Sequence, residues 1–267
     1  MPHADAPAAV APLFEPAGDG FAAAQTTRGP WDERMMHGAP VSALLAHAIE
    51  RTDPGSELAA TRLTVEFLSG VPIGPVSVGT SLAKPGRRFQ IVDATLDADG
   101  RRACLARAVR LRRADLPQAA AAAPVPPLPP PEAGEPLAPF AAPGRELFHP
   151  DAAEIRHVAG EIGSGHAAAW IRMRGDLLPG EPPSPLARAV AAADFANGLS
   201  HVLALGDWTF VNTELTVHLH RHPEGEWIGL DARTLSEATG IGLATGVLHD
   251  LRGPIGICAE SLFVEPR

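Results

Sequence analysis

The chain has 267 residues, 45% of them hydrophobic and 20% charged, enough for one large core or two of about 100–150 residues each. Its 22 basic residues against 31 acids, for a formal charge of -9, speak against the phosphate-neutralising surface of a nucleic-acid binder. Two cysteines, Cys104 and Cys258, cannot build a disulfide scaffold or a four-cysteine zinc site, and no run of about 18 apolar residues offers a membrane span.

The start, Met1-Pro2-His3-Ala4-Asp5, lacks a basic leader followed by an apolar run, so a cytoplasmic location is expected. A short strand pair follows, around Leu13-Phe14 and Phe21 to Gln25, with Gly18-Asp19-Gly20 between. Pro40 to Glu50 reads as a buried helix, its proline suited to a first turn. Four alternating strands come next, at about Arg62–Phe67, Pro75–Ala83, Arg88–Ala98 and Arg101–Arg112. Eleven of the 28 prolines then crowd between Pro117 and Pro150, which predicts an extended linker over residues 116–150. After it the order repeats. Strands are expected at Glu154–Glu161 and His166–Met173, a helix over Pro185–Leu203, and strands at Thr213–Arg221, Trp227–Leu235, Gly240–His249 and Pro254–Glu265.

The repetition extends to residues. Leu63-Thr64-Val65-Glu66 matches Leu215-Thr216-Val217-His218 at an offset of 152, and GRRACLARAVRL (Gly100 to Leu111) matches GPIGICAESLFV (Gly253 to Val264). Cys104 and Cys258 are equivalent positions, expected to lie well apart and unbonded. A hairpin, one helix and a meander, given twice, is an α+β pattern: a curved antiparallel sheet around an apolar helix in each repeat. The repeats are placed at 1–115 and 151–267, about the linker at 116–150.

Asp194 stands inside the apolar run AVAAADFANGL, where an unpaired carboxylate would be costly. On a helix, Asn197, Gly198 and His201 share its stripe, while Ala196, Leu199 and Leu203 face away. The carboxylate either caps a neighbouring backbone or serves a site. The repeat offers an internal control: Asp194, Asn212 and Glu260 correspond to Ser42, Ala60 and Ala106 in the first half. A symmetric scaffold with an asymmetric polar set is what one active site, rather than two, would leave. His37-Gly38 precedes the first helix, whose exposed amides and dipole suit a developing oxyanion; the alternative is a turn glycine beside a surface histidine. His218, His220 and His222 would share one strand face, but a zinc site needs a further ligand and outer-shell support, so no metal site is predicted. Arg87, Arg88, Arg101 and Arg102 form either a phosphate contact or a solvated edge.

MHGAPVSALLAHA (Met36 to Ala48), DFANGLS (Asp194 to Ser200), WTFVNTELTVHLHR (Trp208 to Arg221) and LATGVLHDLRGPIGICAESLFV (Leu243 to Val264) together resemble the double hotdog acyl-CoA thioesterases related to acyl-CoA thioesterase II. The resemblance implies two fused hotdog repeats, hydrolysis of an acyl-CoA or related thioester without a cofactor, and either a monomer that already contains the hotdog pair or its association into a homodimer or larger oligomer. It also implies a catalytic aspartate on the second long helix, a threonine at the start of the next strand and a glutamine on the last strand. Asp194 fits the first. The threonine falls on Asn212, with Thr213 beside it, and the glutamine falls on Glu260. Glutamate in that place acts protonated, replaces Asp194 as base, marks a changed activity, or is an exposed strand residue outside any site. His37, Gly38 and Asn197 are the expected substrate contacts. The rival readings are a noncatalytic acyl-thioester binder, which the Gln-to-Glu change permits, and a hydratase or dehydratase, disfavoured because no aspartate–histidine pair has the hydratase spacing after a first long helix.

Overall fold

The computed structural model describes residues 10–54, 57–121, 123–139 and 145–267. The expected leaderless start at residues 1–9 and the linker positions 122 and 140–144 lie outside the described residues.

Strands β1 (Phe14–Ala17) and β2 (Gly20–Ala23) turn at Gly18, whose φ of 58° costs a glycine little. Helix α1 (Gly38–Glu50) follows, with Val41, Leu44, Leu45 and Ile49 all fully buried. A helix apolar on nearly every side needs cover on every side. The meander β3 (Leu58–Phe67), β4 (Pro75–Lys84), β5 (Phe89–Ala98) and β6 (Arg101–Arg112) supplies it by turning alternate residues inward, as Val92, Ala94 and Leu96 do on β5. The second half opens with β7 (Glu135–Pro136), β8 (Ala153–Glu161) and β9 (His166–Met173), followed by α2 (Pro185–Ala193) and α3 (Ala196–Ser200). Strands β10 (Trp208–Asn212), β11 (Glu214–Leu219), β12 (Ile228–Ser236), β13 (Ile241–Asp250) and β14 (Gly253–Pro266) complete it.

All the strands join one antiparallel sheet in the order β1-β2-β4-β5-β6-β3-β11-β14-β13-β12-β9-β8-β7, with β10 also on β14. The halves meet at β3 and β11, and there the offset of 152 acquires a geometric meaning: Thr64 lies opposite Thr216, with their hydroxyls 3.1 Å apart. A residue facing its own repeat equivalent marks an approximate two-fold axis between them. α1 and α2 pack against each other across the same interior. Cys104 on β6 and Cys258 on β14 are three strand spacings apart, roughly 14 Å, and both are free and buried.

Three expectations need correction. The helix expected over Pro185–Leu203 breaks at Asp194-Phe195, where ψ falls to -3° and 0° and the Phe195 N–H turns to the carbonyl of Ala192, three residues back. It ends at Ser200, because His201 is extended (ψ 151°). The strand expected from Thr213 begins earlier, as β10. Thr213 is the joint between β10 and β11; its N–H bonds to Ser261 and its carbonyl accepts from Phe67. The linker is not simply extended. β7 pairs with β8, the Trp170 indole donates to Pro129 O at 2.7 Å, and Phe148 is wholly buried. No helix among the described residues is long and apolar enough to cross a membrane.

Candidate active site

The break between α2 and α3 carries Asp194 to the N-terminus of α1. His37 caps that helix, and its Nδ1 lies 3.1 Å from the Ala39 N–H and 2.8 Å from Asp194 Oδ2. Bare, this nitrogen accepts from Ala39; protonated, it donates to Asp194. The ring has a partner in either state, which is the property a proton relay needs. Phe195 and Phe148 hold the imidazole, with ring centroids 4.7 and 5.5 Å away. The positive end of the α1 dipole favours the carboxylate at this place.

On its other side Asp194 meets Asn212, whose Nδ2 donates to Oδ1 at 3.0 Å and reaches Glu260 Oε1 at 3.4 Å. Glu260 Oε2 accepts the Asn197 N–H at 3.0 Å. The Asn197 amide is pinned by its bond to Phe210 O at 2.8 Å, which leaves its buried Oδ1 without a protein partner. Glu260 is 0% exposed and shares the inward face of β14 with Cys258 and Leu262, so the reading of it as an exposed strand residue falls. Burial, with the Asp194 charge second, pushes its carboxyl well above the usual range; the Asn197 N–H works against them and Glu214 adds to the rise. The Cys104 thiol is pushed up to about 12, by burial and then by Asp194.

Asp194 and its partners border a cavity of about 370 Å³, while Glu260 lies behind them and outside the lining. Asp194, Asn197, Gly198, Asn212, His37 and Gly38 all line it, so the polar stripe read from the sequence faces the cavity. His201 is turned elsewhere, stacked on Phe210 with its Nδ1 at Gly198 O. Thr213 borders the cavity but spends its hydroxyl on Ser261 O at 3.2 Å. Of the neighbours Asn212 and Thr213, it is Asn212 that contacts both carboxylates. His222 leaves the histidine row to bond Ala60 O, and among the described residues no three His, Cys, Asp or Glu side chains converge as a metal site. Arg102 is held by Asp97.

Two family models match the chain: the acyl-CoA thioesterase N-terminal domain over residues 27–112 and the acyl-CoA thioesterase C-terminal domain over residues 113–264. The chain belongs to the acyl-CoA thioesterase family. Membership places this thioesterase-family chain among the thioester hydrolases. Comparison with curated protein sequences returned no match. Solved structures similar to it include a Thermobifida fusca protein described as a thioesterase II (18% identity, 93% of each chain, TM-score 0.74) and a protein of unknown function with a hotdog fold from Alicyclobacillus acidocaldarius (18%, 95% of each chain, 0.72). A TesB protein of Mycobacterium avium subsp. paratuberculosis is similar over 95% of this thioesterase-family chain and 96% of its own (17%, 0.67). At such identities the likeness speaks for the fold, and the fold is hotdog.

Sequence reasoning missed the apolar wall of this thioesterase-family site. Trp31, Met35, Met36, Phe67 and Leu205 line the cavity from loops and strand ends that carry no periodic signal. It also missed the contact between His37 and Asp194, which joins opposite halves of the chain.

Proposed function

We propose that the protein hydrolyses an acyl-CoA or related acyl thioester to the free acid and thiol, with Asp194 orienting and deprotonating the attacking water. The observation that supports this most is the placing of Asp194: a buried carboxylate in the wall of an apolar cavity, held by His37 and Asn212 against the first turn of α1. The water oxygen bonds to the thioester carbon as its proton passes to Asp194 and His37. The oxyanion that forms is received at the N-terminus of α1, where Gly38 allows close approach and the helix dipole favours negative charge. Collapse breaks the carbon–sulfur bond, and the proton returns to the leaving thiolate. Asn197, with its amide pinned to Phe210 O, shapes the cavity wall against which the substrate lies. No metal or redox group is needed for these steps. The repeats at 1–115 and 151–267 contribute one side of the site each, in a cytoplasmic enzyme.

Thiol release from a panel of acyl-CoAs, trapped by a chromogenic disulfide, tests the proposal. Asp194→Asn should lower the rate by about 10²–10⁴-fold with the circular dichroism unchanged. Equal turnover in that variant would remove Asp194 from the mechanism, and tight acyl-CoA binding without turnover in the wild type would favour a binding protein.

One observation favours a second reading. His37 and Asp194 form the acid–base pair that hydration of an enoyl thioester requires, assembled across the halves rather than within one helix. Loss of enoyl-CoA absorbance without thiol release would select it.

A further inference from the structure

We infer that Glu260 works as an uncharged carboxylic acid that positions Asn212 and Asp194, and that its ionisation switches the site off in alkali. The geometry carries this. Glu260 is wholly enclosed, and an ionised carboxylate there would present about four acceptor sites to be filled. It receives one good bond, from the Asn197 N–H on α3, and a 3.4 Å approach from the Asn212 amide on β10. That amide nitrogen already serves Asp194 at 3.0 Å, so two carboxyl groups share one NH₂.

Among the described residues nothing else around Glu260 compensates a charge. Asp194 approaches from the end of α2, Glu214 from the start of β11 and Cys258 from its own strand, while Ala244 lies opposite on β13. Each titratable neighbour is anionic or neutral. His37 is beyond Asp194 and committed to its other oxygen. Among the described residues no arginine or lysine pairs with either carboxylate. Two like charges sharing a site of this kind cannot both ionise cheaply, and the one remote from His37 keeps its proton. Neutral Glu260 still accepts the Asn197 N–H at Oε2 and meets the Asn212 amide with Oε1, holding that amide without setting a second charge beside Asp194. Once ionised it draws that amide more strongly toward itself and faces Asp194 with like charge.

The alkaline limb of activity rests on the thioesterase reading, so the decisive experiment is independent of turnover. Infrared spectra of wild type labelled with carbon-13 glutamate should show a protonated carboxyl band at neutral pH that vanishes as pH rises, and Glu260→Gln should lack it. No such band at neutral pH would overturn the inference. Stability gives a second readout. Because the neutral form is native, wild type loses stability as pH climbs from the ordinary glutamate range, near 4.3, through the folded pKa. Its folding equilibrium should fall relative to Glu260→Gln by up to tenfold per pH unit over that window, and an equal difference at pH 4 and pH 8 would contradict the inference. If thiol is released, the wild-type rate should decline in alkali and that limb should disappear in Glu260→Gln. An unaltered limb refutes the switch; a chain that releases no thiol still leaves the first two measurements to decide the charge.

Discussion

Gly38 leaves no room for a side chain: a Cβ there would sit 2.5 Å from Asp194 Oδ1 and 2.7 Å from Oδ2. Alanine is otherwise the better helix former, so Gly38→Ala separates local propensity from site geometry. We expect it to leave helicity intact and push the carboxylate off His37 and Asn212, lowering kcat/KM for thiol release by about 100-fold, the scale of an ångström misplacement. Asp194 was legible because a carboxylate in an alanine-rich run demands an explanation, and helical spacing correctly set Asn197 and Gly198 beside it. Glu260 was legible as a candidate from the repeat and the resemblance. What it touches was not, since strand alternation fixes the face a residue points to and not the neighbours across the core. The same limit hid the contact of His37 with Asp194, 157 residues further along the chain.

Among the elements, α2 is anchored at both ends by unlike devices. Ser184 caps its start by accepting the Ala187 N–H at 3.1 Å, and the same hydroxyl donates to the half-buried Glu50 at the end of α1. Burial raises the Glu50 carboxyl, and the Ser184 bond works against that rise. Ser184→Ala should therefore cost about 1–3 kcal/mol in urea unfolding, a lost cap plus a carboxyl left short of a donor. Replacing it with threonine should recover most of that loss. The succession of elements along the chain and most strand limits could be read from the sequence, because alternation survives wherever one face is buried, as on β5 and β13. The interruption of the second helix could not. Helix propensity is weak across ADFANG, with Asp, Asn and Gly among its poorer formers, but it does not place the break; tertiary contacts at Asp194 and Phe195 do. Phe148 was hidden for the opposite reason: proline-rich surroundings suggested an extended linker, yet its ring packs against His37 and Phe195.

Across the whole molecule, the approximate two-fold axis makes a second cleft that mirrors the first. Asp53, Ala59 and Ala60 line it, each 152 residues before Leu205, Val211 and Asn212 of the site, and His222 stands 152 after Gly70. Polar groups fill this cleft: Arg110 bonds the carbonyls of Glu50 and Thr52, and Gln90 bonds Asp53. Elsewhere the charged residues set the acid limit of stability. Burial tends to raise Glu154, but its bonds to Arg172, Arg156 and Arg174 outweigh that and hold it at about 2. For Asp250 too, burial is outweighed, by Arg221 and the N–H groups of Glu224 and Arg252. A depressed native pKa gives stability that is present above the unfolded value, near 4, and lost as pH falls through the native one. Urea unfolding should thus show wild type losing roughly 3 kcal/mol more than Glu154→Gln between pH 5 and pH 2.

The placing of His37 and Asp194 on opposite sides of that axis has a consequence for the life of the molecule. Either half alone holds one member of a dyad and nothing for it to act on. Under the proposed mechanism, a chain still emerging from the ribosome, or one whose second half has come undone, would stay chemically silent whatever it has already folded. On that proposal activity would report assembly, because only a molecule whose halves have docked brings His37 and Asp194 within 2.8 Å.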